Sequence, residues 1–223
     1  AQPAQAESPD RFVGPLTVEV SDGKLKTPVR YYSDGKRLRV EMGSSGMPSR
    51  IWLSGMAEVE GALALSPFKK TYTIEQDELI LPYGLTVKGR GNSSENRKPV
   101  VLPAPDRTQI KGLDCFHFTI EAEGPATDVW VLPMAVPMPL TVFGVWPDFI
   151  EAAPAVAKAT RSLNGLPLKI ERRNWRGKRI FSLKLIDVAP GLPEDVEFLL
   201  PEGYSRGGAA PRLRLKQRDG LGN

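Results

Sequence analysis

The residues best equipped for chemistry are Cys115 and His117, the only cysteine and the only histidine in the chain. They sit two apart in CFHFTIE, where Phe116, Phe118 and Ile120 alternate with Cys115, His117, Thr119 and Glu121 as in a half-buried strand. That spacing puts the thiol and the imidazole on one face, about 7 Å apart along the strand. A thiolate and an imidazole so placed can work as nucleophile and base if a third group orients the ring. The plainer alternative is a cysteine and a histidine in ordinary sheet positions, and the rest of the inventory favours it. No carboxylate cluster accompanies the pair, a lone cysteine excludes an intramolecular disulfide and a multi-thiolate zinc site, and two ligands do not sustain a metal. The stretch KGRGNSSENRK at 88–98 reads as a polar loop without the spacing or the strand-to-helix setting of a phosphate-binding loop. The expectation is a protein that is not an enzyme and uses neither metal nor cofactor.

The elements that must position these residues are mostly strands. Alternation places Phe12, Leu16, Val18 and Val20 on one side of a first strand, and Leu25, Thr27, Val29 and Tyr31 on one side of a second. Leu38, Val40 and Met42 do the same in a third, and Asp22-Gly23 and Asp34-Gly35 supply the turns, so the three form an antiparallel meander. Shorter strands are expected at 50–53, 62–65, 69–74 and 78–81, and a second strand-rich block at 115–121 and 128–132. The Ala-rich segment 147–164 is the one good helix candidate, kinked at Pro154 and stopped by Gly165 acting as a left-handed cap. Strands resume at 166–172 and 180–188, joined by a hairpin turn at 174–177, and a last short strand is expected at 196–200.

These elements define an α+β chain that is mainly antiparallel β, with residues 1–10 as a disordered N-terminal segment, one domain at 11–204 and a basic disordered tail at 205–223. A hydrophobic fraction of 41% beside 25% charged residues is that of an ordinary globular protein. No stretch approaches the roughly 18 to 20 apolar residues of a membrane-spanning helix. The opening AQPAQAESPD has the small, polar character of a processed chain, from which a periplasmic or secreted location after signal-peptide removal is expected. The net charge of +4 is accounted for by Arg206, Arg212, Arg214, Lys216 and Arg218 against Asp219, so the body is near neutral and carries no built-in nucleic-acid groove. The tail alone is suited to a polyanion.

Four segments in order, YYSDGKRLRVE at 31–41, GLDCFHFTIEAEG at 112–124 followed by DVWV, NGLPLKIERR at 164–173 and EFLLPEGY at 197–204, resemble an uncharacterised bacterial family with the LolA-like periplasmic fold. The resemblance implies an unclosed half β-barrel whose concave face is covered by helix and carries an apolar cavity. It also implies a role in handling lipids or lipoproteins, without chemistry of its own.

Independently, a sheet lined with apolar residues on one face must cover that face with helix, partner or ligand. The candidate ligand-binding lining is Tyr31, Val40, Trp52, Phe116, Phe118, Trp130, Trp146, Phe149, Phe181 and Leu183, each of which taken alone reads first as packed core. Lys169, Arg172, Arg173, Arg176, Lys178 and Arg179 with Trp175 at the tip form a basic hairpin suited to anionic headgroups, a membrane surface or a partner, or simply to solvent. The leading expectation is a periplasmic binding protein for a lipid, acyl chain or lipoprotein. The alternative is a protein-interaction or sensor module that uses the concave face or the basic hairpin.

Overall fold

The computed structural model describes residues 12–21, 25–44, 47–57, 59, 61–75, 99–121, 125–134, 156, 159–160, 162–163, 165–189, 191–192 and 198–207. Twelve strands run through them: β1 (Val13–Ser21), β2 (Lys26–Asp34), β3 (Leu38–Ser44), β4 (Met47–Ser54), β5 (Ala62–Ser66), β6 (Thr71–Glu75), β7 (Val100–Ile110), β8 (Leu113–Glu121), β9 (Thr127–Pro133), β10 (Gly165–Arg173), β11 (Arg179–Val188) and β12 (Ser205–Arg206). They form one open sheet in the order β12-β6-β5-β4-β3-β2-β1-β11-β10-β9-β8-β7. Every ladder is antiparallel except the parallel pairing of β12 with β6.

Alternation decides which residues share the core face. Leu16, Val18 and Val20 are buried, and the registers Leu16↔Tyr31, Tyr31↔Val40, Val40↔Trp52 and Trp52↔Ala64 carry that face across five strands. Towards the other edge, Val20↔Leu183, Leu183↔Ile170 and Ile170↔Val129 continue it to Val131 and Ile120. The expected meander is present, but Leu25 is a correction: β2 begins at Lys26 and leaves Leu25 exposed beside the turn.

On β4 and β5 both faces are buried. Ile51, Leu53, Leu63 and Leu65 point away from Trp52 and Ala64 into a second cluster with Tyr72, Ile74, Leu200 and Tyr204. A returning C-terminal segment thus supplies a second layer over one end of the sheet. Two expectations change with it. Residues 198–200 are not a strand, and the chain rejoins the sheet at Ser205–Arg206, where the Ser205 N–H donates to the Lys70 carbonyl (3.0 Å) and the Gly207 N–H to that of Tyr72 (2.8 Å). Residues 205–207, expected in a disordered tail, therefore belong to the sheet edge, and residues 1–11 and 208–223 lie outside the described residues.

Of the expected helix, Val156, Ala159, Thr160 and Ser162 are helical, and the first three are buried with Val156 and Ala159 in the main core. The rest of that segment up to Arg161, with Pro154, and the expected strand at 78–81 lie outside the described residues. Gly165 is not a left-handed cap, because its φ is not positive and it opens β10 opposite Pro133. Its lack of a side chain serves another purpose: a Cβ there would collide with the Leu132 carbonyl oxygen and Val131 Cγ1. Gly165→Ala is accordingly expected to destabilise the fold by about 1–3 kcal/mol, the cost of overpacking a backbone that must move to make room. Denaturant unfolding at constant m-value measures it.

The β2–β3 turn has its own electrostatic clasp. Asp34 Oδ1 accepts from the backbone N–H groups of Lys36 (2.9 Å) and Arg37 (2.6 Å), while Oδ2 accepts from Arg37 Nε (2.7 Å). Burial pulls the Asp34 carboxyl upward, but these backbone donors and the Arg37 guanidinium outweigh it and hold the pKa below the ordinary 3.8. A depressed folded pKa means that the stabilisation is whole above pH 3.8 and is lost as pH falls through the lower folded value. Asp34→Asn should cost about 1–2 kcal/mol at neutral pH. It should also flatten the acid limb of the stability curve, as read by urea midpoints across the acid range.

Candidate functional site

Cys115 and His117 do share a face of β8, but each is engaged elsewhere. The Cys115 thiol is buried against Leu113, whose carbonyl it reaches at 3.5 Å. Burial first, and the Asp114 carboxylate second, push the thiol up to about 11, so it is protonated at neutral pH and not a ready nucleophile. His117 Nε2 meets Asp128 Oδ1 at 3.2 Å, and Thr119 Oγ1 donates to the same oxygen at 2.8 Å. The imidazole lies flat on Trp130, with centroids 4.3 Å apart and planes 3° from parallel. From the strand on the other side, Lys169 Nζ stands 3.9 Å from the Trp130 ring centroid. These are cross-strand pairs set by register, since His117 and Lys169 are both Cα partners of Trp130. The cluster is held by stacking and cation–π attraction, and its histidine is oriented by Asp128 towards no nucleophile among the described residues.

The core face brings together half of the expected lining. Tyr31, Val40, Trp52, Phe181 and Leu183 are all buried on it. Phe118 is half-buried at its margin, and Phe116, 40% exposed, continues the aromatic edge with its ring 6.5 Å from that of Phe118. Arg107 of the edge strand β7 caps Phe116 at 5.0 Å. Trp130 alternates with the buried Val129 and Val131 and stacks with His117 and Lys169, and it also packs, half-buried, against the main core. Trp146 and Phe149 lie outside the described residues.

The basic hairpin divides in the same way. Arg172 is a correction, because it pairs with Phe181 and Thr127 on the core face and is only 3% exposed. Its Nη1 donates to the Thr127 hydroxyl at 3.0 Å, and burial pulls its pKa below the usual guanidinium value. Three of the remaining cations, Lys169, Arg173 and Arg179, converge on Glu171 at 3.3–3.5 Å. Arg176, Lys178 and Trp175 stay exposed on a tight turn in which Asn174 Oδ1 accepts from the backbone N–H groups of Arg176 (2.9 Å) and Lys178 (3.0 Å).

What charge and aromaticity alone did not reveal is a set of buried polar atoms on the apolar face. Tyr31 Oη, Trp52 Nε1 and Arg172 Nε are buried and have no hydrogen-bond partner among the described residues. Tyr31 and Trp52 flank Val40 at one register level. Buried polar groups are ordinarily satisfied, and an unpaired one costs about 1–3 kcal/mol, more when charged. The sequence did carry a signal for Arg172, which stands in phase with Ile170 rather than with Glu171.

No protein-family model and no curated protein matches this sequence. Among solved structures, the fold is similar to an uncharacterized conserved protein from Thermus thermophilus, with 11% identity and a TM-score of 0.45 over 88% of this chain and 91% of that one. PNGF-II superposes in two crystal forms at 12% identity, with TM-scores of 0.48 and 0.47 over 86% and 87% of this chain. This chain spans about a third of PNGF-II, 30% and 31% in the two forms. Likeness at this level carries no argument about family or activity.

The state of Cys115 can be checked directly. A thiol reagent such as dithiobis(nitrobenzoate) in mildly alkaline buffer should modify the native protein at least about 100-fold more slowly than the chain unfolded in guanidinium, since burial suppresses both thiolate formation and access. Equal rates would show an accessible, activated thiol instead.

Proposed function

We propose that this chain is a non-enzymatic, exported binding protein that holds a hydrophobic ligand, such as a lipid, an acyl chain or the acylated part of a lipoprotein, against the core face of its sheet. The observation that carries the reading is the trio of buried polar atoms on the mainly apolar core face that have no partner among the described residues: Tyr31 Oη, Trp52 Nε1 and Arg172 Nε. Such a face suits an amphiphile, with a polar head at Arg172 and an aliphatic chain against Phe181 and Leu183, running towards Val40, where Tyr31 and Trp52 stand at the other end of the sheet. Arg172 suits a carboxylate or phosphate, since among the described residues its guanidinium meets a neutral hydroxyl and no carboxylate, which leaves a buried charge to compensate. In this reading the helical residues around Val156 and Ala159, which share the main core, belong to a cover over that face. The sequence resemblance to LolA-like proteins and the expected periplasmic location point the same way.

The test is native mass spectrometry and solvent extraction of the purified protein, followed by titration of the delipidated protein with a fluorescent fatty acid. Co-purified amphiphile and saturable probe binding are expected. Arg172→Met should weaken the fatty acid about 10-fold or more, the worth of a charge-assisted hydrogen bond, while a fatty alcohol of the same length changes less than about threefold. The empty variant should be as stable as the wild type or more so, because a buried unpaired charge has been removed. A protein that carries no amphiphile and shows no saturable probe binding would overturn the reading.

A further inference from the structure

The antiparallel order fixes which turns share an end of the sheet. β1, β3, β5, β8 and β10 run in the same direction, so the connections β1–β2, β3–β4, β5–β6, β8–β9 and β10–β11 all lie on one rim. Four of them present a large apolar side chain to solvent: Leu25 at 69% exposure, Met47 at 81%, Phe68 at 97% and Trp175 at 82%. Single exposed apolar residues are commonplace, but four at the tips of four connections on one rim are not scattered. The opposite rim is less exposed at its connections: in the β4–β5 connection Met56 and Val59 turn inward and pack on the second cluster, although Val13, which opens β1 there, is 46% exposed.

Charge follows the same division. Lys69 and Lys70 adjoin Phe68, Arg176 and Lys178 adjoin Trp175, and all four cations are exposed. Of the described acids on this rim, Glu171 holds three cations and Glu19 meets Lys26 at 3.0 Å, while Glu121 at the end of β8 stands exposed at a distance from both tips. Both tips are also conformationally fixed. The Phe68 turn closes with the Lys70 N–H on the Pro67 carbonyl (3.3 Å), and the Trp175 turn with the Asn174 N–H on the Lys178 carbonyl (2.8 Å).

We propose that this rim docks on an anionic lipid bilayer, with Phe68, Trp175, Met47 and Leu25 entering the interface while the adjoining lysines and arginines meet the headgroups. Aromatic rings sit favourably at headgroup depth, and basic side chains beside them are drawn to anionic lipid. A protein groove would need a contiguous apolar surface, whereas these side chains are separate points on a charged edge. The inference does not depend on a ligand at the core face.

The experiment is flotation of the full chain, delipidated, with vesicles of about 30 mol% phosphatidylglycerol in phosphatidylcholine. Binding is expected, at least about 10-fold stronger than to phosphatidylcholine alone and weakened by about 0.5 M salt. Phe68→Ser combined with Trp175→Ser should reduce it at least about 10-fold without changing the melting curve, because both side chains are exposed. Lys69→Glu with Lys70→Glu should abolish the preference for anionic vesicles, and removing residues 208–223 should leave binding within about twofold. Failure of the wild type to float overturns the proposal, as does flotation that survives the aromatic variant or is lost with the tail. Capture of a protein partner through Phe68 and Trp175 without vesicle binding overturns it too. The aromatic variant should still co-purify with amphiphile, so failure at the rim and failure of ligand binding are separable.

Discussion

The rest of the molecule depends on the ladder between β1 and β11. It joins a meander built from the first third of the chain to strands built from the second half, and without it the core face would be two smaller sheets. Closing that contact requires ordering a long intervening chain, which slows folding more than it weakens the folded state. The ladder contains an irregularity between Thr17 and Val18, where Thr17 faces Asp187 but Val18 faces Leu185. Ile186 is left over and half-exposed. That extra residue lets Leu183 and Leu185 stand on the same side as Val18 and Val20, so the two halves present one continuous apolar face.

The C-terminal crossing then gives the sheet two unlike faces at one end. Leu200 and Tyr204 pack on the side of β4 and β5 away from Trp52. Arg37 lies 4.9 Å over the Phe198 ring and ties the start of the crossing to the turn that Asp34 organises. The parallel pairing of β12 with β6 occupies part of that edge, which would otherwise offer unpaired backbone groups to another chain. At the far edge, β7 carries Pro103 and Pro105, and its pairing with β8 shifts register between Pro103 and Arg107. An edge strand tolerates such residues, and they also discourage further pairing.

What the sequence made legible was the meander, because β1 to β3 bury one face each and strict alternation reports that directly. The same signal failed where its physical premise failed. β4 and β5 bury both faces, so Ile51, Trp52 and Leu53 in succession give no period. β7 was missed because its prolines argue against a strand, a rule that central position would enforce and an edge does not. Gly165 was legible as a special residue but for the wrong reason, since close approach of two backbones and a left-handed cap both call for glycine. The candidate site was half visible. Tyr31, Val40, Phe181 and Leu183 follow from period two and Trp52 from its chemical type alone, whereas Arg172 was placed by chemical type against its own phase, and phase decided its face.

Arg172 shows why phase matters for function as well as for fold. A side chain at this position needs only length and bulk to fill the space beside Phe181 and Thr127, and methionine or leucine would do so without removing a charge from water. Keeping a guanidinium there costs stability unless something anionic meets it. Arg172 is also the penultimate residue of β10, at the end of the sheet where Trp175 and Phe68 project. Under the proposed reading, an amphiphile would therefore lie with its head towards the membrane-facing rim and its chain along the core face towards the opposite end. That orientation would let a ligand pass from bilayer to protein with its head trailing, leaving the charged group in contact with water or headgroups until Arg172 replaces them. An arginine at the middle of the strand would instead require the charged head to be drawn through the apolar face, with no compensating group along the way.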